Sequence, residues 1–394
     1  MRLLVITSHP IQYNAPLFSY LAKHSNYSIR VFYTLGGQSN SIVDSGFGVN
    51  ENWNIDLLSG YDFEFIENTS SHPSSISYLG IKNPSLLEKI RTYNPDGIIV
   101  YGWKHQSHFS VLKYFHGKIP IIFRGDSTTL DDSSGFSLRS YFRFFFLQWI
   151  YRKVDYVLSP GTASDQYFFK SGLRQNQIIR AEHAIDNERY MNLTKIEEKQ
   201  LFDLSSSLSI KPNEIIFLFA GKFIHKKNPL LLIDAFTQLK QQNDNVRLLL
   251  VGNGILENKI NERVNQLPMR IASSITQLPF QDQTQIKFLY RAANVFILPS
   301  ISETWGLSVN EALASGIPVI VSDQCGSSAD LVKNDVNGLV FKSGDIKDLV
   351  QKMQKMCNDE FREKLARKSK NSLKNYTYHS FKTALDQVFA KNEN

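Results

Sequence analysis

The chain has 394 residues, of which 42% are hydrophobic and 21% charged, so its composition excludes a disordered or fibrous protein and suits two ordinary domains or one large one. Its net charge of +7 comes without the long Lys/Arg blocks of a nucleic-acid-binding tail, which leaves phosphorylated small ligands and anionic membrane surfaces as partners. Its two cysteines, Cys325 and Cys357, are too few for a disulfide framework or the usual zinc site and indicate a reducing compartment.

Short apolar runs alternate with amphipathic segments in the first half of the chain. Helices are predicted at Pro16–Lys23 and Pro84–Thr92. The strand-like runs are rich in Val and Ile and bounded by turn residues, as is typical of buried parallel strands: Leu3–Thr7, Ser28–Tyr33, Gly97–Tyr101, Pro120–Phe123, Val154–Ser159 and Ile178–Ala181. This alternation predicts a parallel α/β sheet with right-handed crossovers.

The same alternation starts again after the polar segment Asn187–Asn213, which we interpret as the boundary between two domains. Asn228 and Pro229 are predicted to begin the first helix of this half, as its N-cap and first residue. Further helices are predicted at Gln283–Ala293 and Leu307–Ala314. The predicted strands are Glu214–Gly221, Val246–Gly252, Ser274–Leu278, Val295–Pro299, Pro318–Ser322 and Gly338–Phe341. Two Rossmann-like domains with parallel sheets facing across a cleft are therefore expected, with ligands at the carboxyl ends of the strands.

The segment Pro299–Pro318 is the most informative in the sequence. It reads as a strand, a loop with Glu303, and a helix that begins near Gly306 and carries Glu311. The free amides of Trp305 to Ser308 form an anion site at the helix start. A diphosphate ligand bound there could present sugar and ribose hydroxyls to the two carboxylates. In isolation, Glu303 as a cap and Glu311 on a solvated helix face would be the simpler interpretation.

This Glu303-x7-Glu311 segment resembles the signature of glycosyltransferase family 4, the retaining nucleotide-sugar enzymes of GT-B fold among the group 1 glycosyltransferases. Ala220-Gly221-Lys222 with Lys227 resembles the family's Gly-Arg…Lys pair, with lysine in place of arginine. Other matching segments are Val251-Gly252-Asn253-Gly254, Leu278-Pro279-Phe280, His183-Ala184-Ile185-Asp186 and Asn337-Gly338-Leu339-Val340. The resemblance covers most of the chain.

The resemblance implies an acceptor-binding domain at residues 1–195, completed by a C-terminal helix at about 375–394, and a donor-binding domain at residues 196–374. It also implies that no metal and no cofactor is required. In the donor domain, Lys222, Lys227 and the amides near Gly306 are expected to stabilise the departing diphosphate. The expected donor-binding residues are Gly221, Lys222, Lys227, Gly252, Asn253, Phe280, Glu303, Trp305, Gly306, Leu307 and Glu311.

Several of these residues have plainer explanations when taken singly. Lys226-Lys227 also fits a solvated loop, and Gly252-x-Gly254 also fits a tight turn. The resemblance implies that Glu303 positions the donor sugar and that Glu311 binds ribose. Together with Lys222, Lys227 and Asp126, Glu303 completes the set of expected catalytic residues.

Polar residues after strands of the first domain are the candidates for acceptor binding. His9, Gln12, Tyr13 and Asn14 follow the first strand, although turn chemistry around two prolines explains them equally well. The loop contains no dinucleotide fingerprint, which argues against an NAD enzyme. Arg124 and Asp126 follow a later strand. Asp126 is expected either to orient an acceptor hydroxyl or to cap the next helix.

The segment 138–153 combines four cations, no acidic residue and many aromatic residues. This composition suits an anionic bilayer surface, but a buried helix with Arg residues at its ends is the alternative. The first apolar run is too short for a signal peptide, and no stretch approaches the roughly 20 apolar residues of a membrane span. We therefore expect a cytoplasmic protein, with contact to the inner face of the membrane left open.

The expected function is retaining transfer of a sugar from a nucleoside-diphosphate sugar to an acceptor hydroxyl, in the synthesis of a cell-surface polysaccharide or glycolipid. The partners are then a nucleotide sugar and a sugar or lipid-linked acceptor, with no nucleic acid. Two alternatives stay open: a nucleotide-sugar epimerase or phosphorylase of the same architecture, and a non-catalytic nucleotide-sugar-binding protein.

Overall fold

The computed structural model describes residues 1–37, 55–131 and 138–391. They form two compact units: the first holds residues 1–37, 56–131 and 138–184 and takes in the chain again from Tyr378, and the second holds Ile185–Thr377 together with Ile55. The expected domain boundaries were at residues 195/196 and 374/375. The observed ones lie before the short helix Asn187–Met191 and before the last helix.

A seven-stranded parallel sheet forms the centre of the first unit, in the order β3-β2-β1-β4-β5-β6-β7. Its strands are β1 Arg2–Thr7, β2 Ser28–Tyr33, β3 Asp62–Phe65, β4 Gly97–Tyr101, β5 Ile121–Arg124, β6 Tyr156–Ser159 and β7 Ile178–Arg180. The central strands are buried except for Arg2 and Tyr101 at their ends, because a sheet covered by helices on both faces needs apolar side chains on both. The edge strand β3 is half-buried and was not predicted.

Helices cover both faces of this sheet. They are α1 Ala15–His24, α2 Leu86–Tyr93, α3 Gln106–Phe115, α4 Leu138–Tyr151, α5 Thr162–Lys170 and, from the C-terminal end of the chain, α16 Tyr378–Ala390. Phe381, Leu385 and Val388 of α16 join the same buried cluster as Leu3 and Val5 of β1. The C-terminal helix is therefore part of the core of the first unit.

The second unit is built on a six-stranded parallel sheet in the order β10-β9-β8-β11-β12-β13. Its strands are β8 Ile215–Ala220, β9 Val246–Val251, β10 Ile275–Leu278, β11 Val295–Leu298, β12 Val319–Ser322 and β13 Gly338–Phe341. Each observed strand falls within its predicted run. The succession β9-β8-β11 means that the chain winds away from β8 in one direction and returns on its other side at β11. This reversal is the point at which open α/β sheets bind ligands.

The helices of the second unit include two that position the candidate site. These are α8, which begins at Pro229 after the left-handed Asn228, and α12, which begins after Gly306. Asn228 holds the predicted N-cap position, but its side chain makes no capping bond. The full set is α6 Asn187–Met191, α7 Lys195–Ser207, α8 Pro229–Gln242, α9 Glu257–Asn265, α10 Met269–Ala272, α11 Ile286–Ala292, α12 Leu307–Ala314, α13 Ser327–Asp330, α14 Ile346–Met356 and α15 Asp359–Ser369.

The short helix α6 explains why the second unit begins earlier than expected. The Asp186 carboxylate caps it by accepting from the Arg189 amide at 3.4 Å. Tyr190 on the same helix is fully buried and reaches Gln283 and Glu311. Lys370 donates to the Met191 carbonyl at 2.6 Å. These contacts fasten α6 to the second unit, although its sequence looks like polar linker.

Candidate active site

The loops after β8 and β11 meet at the reversal of the second sheet. The amide of Ile301 donates to the carbonyl of Lys226 at 2.8 Å, which ties one loop to the other. At this point the Lys227 ammonium donates to Oε2 of Glu303. Their side chains are 19% and 16% exposed, so this ion pair is only partly screened by solvent. Two residues predicted from separate motifs are thus in direct contact.

Glu303 is held in place by its own backbone. Its amide donates to the Gln324 carbonyl at 3.0 Å, and its carbonyl accepts from the Gly326 amide at 2.9 Å. Gly326 is required here, because a Cβ atom would lie 1.9 Å from the Thr304 carbonyl oxygen. The carboxylate of Glu303 therefore projects from a rigid loop toward the cation of Lys227.

Helix α12 starts beside this ion pair at a position that only glycine can occupy. Gly306 has φ +88°, and a Cβ atom would lie 2.7 Å from Leu298 and 3.0 Å from the Cys325 sulfur. Leu307 opens the first turn of α12, and the amides of a first turn have no preceding helix carbonyl to which they can donate. They and the helix dipole favour an anion at this end of α12.

Trp305 is buried, and its indole donates to Oδ1 of Asn310 at 2.9 Å. Its ring therefore packs inside the second unit, tilted against Tyr376 with the ring centroids 5.9 Å apart. The predicted donor-binding role of Trp305 can involve its backbone, because the side chain is engaged in the core.

Gly252, Asn253 and Gly254 form a close approach between strand ends. Gly252 has φ +146°, and a Cβ atom there would lie 2.0 Å from the Gly221 carbonyl oxygen. The Asn253 side chain accepts from the Phe280 amide at 3.0 Å, which places the predicted Phe280 segment next to the turn. The glycines therefore do form a tight turn. This turn lies against Gly221, so Gly221 and the half-buried Lys222 are at the same sheet edge.

Glu311 is buried and not on a solvated helix face, being only 4% exposed. The Tyr290 hydroxyl donates to its Oε2 at 2.8 Å, and the Tyr190 hydroxyl lies 2.9 Å from its Oε1. The Tyr190 hydroxyl also lies 2.5 Å from Oε1 of Gln283. Sequence reasoning did not place these tyrosines in the site: Tyr290 lies in the predicted helix Gln283–Ala293 and Tyr190 in the polar segment Asn187–Asn213, and neither was a candidate site residue.

Cys325 lies directly behind the ion pair but is not a candidate nucleophile. Burial raises the pKa of its thiol to about 12, and the nearby charge of Glu303 adds to the effect. The sulfur donates to the Trp305 carbonyl at 3.0 Å. A neutral, bonded thiol of this kind is structural.

The predicted acceptor residues after β1 form the turn that leads into α1. Nδ1 of His9 lies 2.9 Å from the Ser8 hydroxyl, and Asn14 occupies the N-cap position of α1 without a side-chain capping bond. The side chains of His9, Gln12, Tyr13 and Asn14 are half-buried. Both explanations, turn chemistry and acceptor binding, fit this placement.

Arg124 and Asp126 lie in very different surroundings. The Arg124 guanidinium is buried and donates to the carbonyls of Leu158 and Ala181 at 2.9 and 2.6 Å. Burial lowers its pKa, and its Nη2 lies 3.4 Å from Nδ1 of His183. Arg124 therefore ties the ends of neighbouring strands together, whereas Asp126, two residues later, is exposed at the carboxyl edge of the first sheet.

Helix α4 presents six exposed aromatic side chains, which we call the aromatic face: Tyr141, Phe142, Phe144, Phe145, Phe146 and Trp149. Its opposite side packs into the core through Leu147, Ile150 and Tyr151. One side of this helix therefore lies in the core, as the alternative of a buried helix expects, whereas the other side exposes the aromatic face. In the ranges 1–37, 55–131 and 138–391, no helix has the length and apolarity to cross a membrane.

Comparison with known proteins gives a family match for most of the second unit. Residues 202–377 match the sequence profile of the family described as Glycosyl transferases group 1. This segment is a group 1 glycosyl transferase domain. The predicted resemblance is thereby confirmed at the level of the group 1 glycosyl transferases. Lys222, Lys227, Glu303 and Glu311 all lie within the glycosyl transferase domain, whereas Tyr190 precedes it.

Two curated relatives match parts of the chain. An uncharacterised glycosyltransferase of Methanocaldococcus jannaschii is 30% identical over 143 residues, which cover 36% of this chain and 35% of the relative. The UDP-Gal:alpha-D-GlcNAc-diphosphoundecaprenol alpha-1,3-galactosyltransferase of Escherichia coli is 28% identical over 171 residues, 43% of each chain. The chain thus matches less than half the length of these two relatives.

Structural similarity extends over both units. The crystal structure of HepE from Anabaena, in complex with UDP and glucose, matches with a TM-score of 0.72 at 17% identity, covering 99% of this chain and 100% of HepE. At this identity the match defines the fold, which confirms the predicted GT-B class with two parallel-sheet α/β domains.

Proposed function

We propose that the protein is a retaining glycosyltransferase of family 4 that transfers a sugar from a nucleoside-diphosphate sugar to an acceptor hydroxyl. The observation that carries this proposal is the contact between Lys227 and Glu303 beside the start of α12. A cation, a carboxylate and a helix N-terminus together match a ligand that has both phosphate and hydroxyl groups.

The leaving group sets the chemistry of this site. When the bond from the sugar to the diphosphate breaks, negative charge develops on the diphosphate oxygens. Lys222, Lys227 and the first amides of α12 stabilise that charge in our proposal. A diphosphate that binds Lys227 competes with Glu303 for its cation, so the Glu303 carboxylate becomes available to accept hydroxyl groups of the donor sugar.

The reaction in this proposal needs neither metal nor cofactor, because fixed cations and amides supply the charge stabilisation. Asp126 orients the acceptor hydroxyl from the first unit, where its exposure leaves it accessible. We propose a sugar or lipid-linked acceptor in polysaccharide or glycolipid synthesis, in line with the activity named for the E. coli relative. Chelation with EDTA should then leave the rate unchanged.

A donor panel tests the function. The purified protein is incubated with UDP-, GDP- and ADP-sugars, with and without sugar or lipid-linked acceptors, and release of nucleoside diphosphate is measured. Release that depends on an acceptor, with an axial product linkage from an axial donor by NMR, supports retaining transfer. Interconversion of sugars or phosphate-dependent cleavage would indicate the epimerase or phosphorylase alternatives. Binding without release would indicate a binding protein.

We further propose that the enzyme works at an anionic membrane surface, through the aromatic face of α4. Lys153 belongs to the same surface, with its Nζ 4.1 Å from the Trp149 ring centroid, and burial beside Lys113 and Arg152 lowers its pKa. Lys118 lies 3.8 Å from the Tyr114 ring centroid on the adjoining surface. Aromatic rings bordered by cations suit the headgroup region of a bilayer that contains anionic lipids.

Vesicle flotation tests this surface with a control matched in exposure. Phe142 on α4 and Phe202 on α7 are both 71% exposed. Phe142→Ser with Phe145→Ser should abolish flotation with phosphatidylcholine/phosphatidylglycerol vesicles, and Phe202→Ser should not. The double substitution Arg152→Glu and Lys153→Glu should weaken flotation. Added salt should do the same, because it screens the attraction between these cations and the anionic lipids. Absence of flotation by the unaltered protein, or association of its copies through α4 in sedimentation, would overturn the membrane proposal.

A further inference from the structure

Two tyrosine hydroxyls reach the buried carboxylate of Glu311, and one of them is shared with a second acceptor. Tyr290 donates to Oε2 at 2.8 Å. The Tyr190 hydroxyl lies between two acceptors, 2.9 Å from Oε1 of Glu311 and 2.5 Å from Oε1 of Gln283. One hydroxyl has one proton, so at any moment it donates to only one of these oxygens. Oε1 of Glu311 is therefore the oxygen whose donor can change.

We propose that Oε1 of Glu311 is an exchangeable acceptor, for which the Tyr190 hydroxyl and a ribose hydroxyl of the nucleotide compete. This inference rests on the proposed function, because it requires a nucleotide at the second unit. When a ribose hydroxyl donates to Oε1 of Glu311, the Tyr190 hydroxyl donates to Oε1 of Gln283 instead. Each hydroxyl then still has an acceptor, so the exchange leaves no buried donor unsatisfied.

The exchange has a structural consequence because Tyr190 lies on α6. That helix begins three residues after Ala184, the last residue of the first unit before the boundary. The same helix is also held by the Lys370 bond to the Met191 carbonyl and by the Asn187 bond to the Tyr376 carbonyl at 2.9 Å. Nucleotide binding therefore changes one of the side-chain attachments of the segment that connects the units. Tyr190 is a positioning residue, since it acts through Glu311.

The competition predicts that removing a hydroxyl group from the protein strengthens nucleotide binding. Tyr190→Phe keeps the ring and removes the competing hydroxyl, so it should tighten binding of a ribonucleotide by about fivefold, the effect of one net hydrogen bond. Gln283→Met removes the alternative acceptor, so Tyr190 should stay on Glu311 and ribonucleotide binding should weaken by a similar factor. Tyr290→Phe removes a hydroxyl from the other oxygen and serves as the matched control.

Calorimetric titration of the full-length protein with UDP, GDP and ADP, and with their 2′-deoxy and 3′-deoxy counterparts, provides the test. The gain in Tyr190→Phe should be present for the ribonucleotide and absent for at least one deoxy counterpart, and Tyr290→Phe should show no such gain. Thermal melting of each variant checks that it is folded.

Two negative outcomes are distinguishable. If Tyr190→Phe changes ribo- and deoxynucleotide affinity equally, or weakens only the ribonucleotide, the exchange is overturned and the proposed function stands. If neither the unaltered protein nor any variant binds a nucleoside diphosphate, the proposed function is overturned and the exchange with it.

Discussion

Lys227 donates a hydrogen bond to Glu303 from a loop that lies more than seventy residues earlier in the chain. Both loops belong to strands that flank the reversal in the second sheet, and the Ile301 bond to the Lys226 carbonyl joins them. The fold thus brings a cation and a carboxylate into contact at the position where parallel sheets bind ligands. In the proposed chemistry, a bound diphosphate replaces Glu303 as the partner of the Lys227 cation.

Lys227→Met should lower acceptor-dependent release of nucleoside diphosphate by about 100-fold, the usual cost of losing one group that stabilises charge in a transition state. Lys227→Arg should retain part of the rate, because it keeps the charge but changes its geometry. Steady-state kinetics on the donor sugar identified by the panel is the measurement. Lys226→Met is the matched control, since its side chain is exposed. Equal losses at Lys226 and Lys227 would contradict the assignment.

Gly252→Ala should destabilise the second unit far more than Gly344→Ala. Both glycines have positive φ, +146° and +79°, so both substitutions incur a conformational penalty of about 1 kcal/mol. Only at Gly252 does the added Cβ meet backbone, 2.0 Å from the Gly221 carbonyl oxygen, whereas nothing lies within 4 Å at Gly344. Urea denaturation of both variants measures the difference. Similar midpoints for the two would show that the turn can relax.

Buried histidines of the first unit should make the protein less stable in acid. Burial lowers the pKa of His108 to about 4, and its Nδ1 donates to the Gly102 carbonyl at 3.0 Å while Nε2 accepts from Thr34 at 2.8 Å. Because the unfolded chain takes up this proton near pH 6.5 and the folded chain does not, stability is full above that pH. Up to about 3 kcal/mol is then lost as the pH falls from 6.5 to 4.

His108→Gln should reduce this pH dependence, measured as the free energy of unfolding in urea at pH 7 and pH 4.5. His116→Gln, at an exposed position in the same unit, should leave it unchanged. Burial also lowers the pKa of His105 and His183, so part of the dependence will remain in the variant. A slope identical in the variant and the unaltered protein would show that His108 takes up its proton as readily in the folded protein as in the unfolded chain.

The sequence predicted the strands well because they are buried on both faces and therefore read as continuous apolar runs. Gly97–Tyr101 and Gly338–Phe341 are observed at their predicted bounds, and helix Leu307–Ala314 is too. Strand β3 was missed because it lies at the edge of its sheet and reads Asp-Phe-Glu-Phe, without an apolar run. Hydrophobic periodicity detects a strand that is buried on one or both faces. A short edge strand that is only half-buried therefore gives a weak signal.

The side-chain environments could be predicted less well than the elements. The contact of Lys227 with Glu303 follows from two motifs at one sheet edge, so the sequence could place both residues near each other. The environment of Glu311 depends on Tyr190, a residue more than a hundred positions away in a polar segment. Arg124 is buried where the carbonyls of Leu158 and Ala181, at the ends of two strands, converge on its guanidinium. Such contacts arise from tertiary packing and leave no local pattern.

Cys325 should be inert in the folded protein although it lies beside the candidate site. With a pKa of about 12, only about one thiol in ten thousand is ionised at pH 8, and the thiolate is the reactive form. In Cys357→Ser, whose remaining thiol is Cys325, the native protein should therefore not react with a disulfide reagent over an hour, and should react at once in guanidinium chloride. In Cys325→Ser, the half-buried Cys357 should react measurably faster than Cys325 does in the first variant. Rapid labelling of native Cys357→Ser would mean that the loop carrying Glu303 opens, because Gly306 and Trp305 cover the sulfur in the packed state.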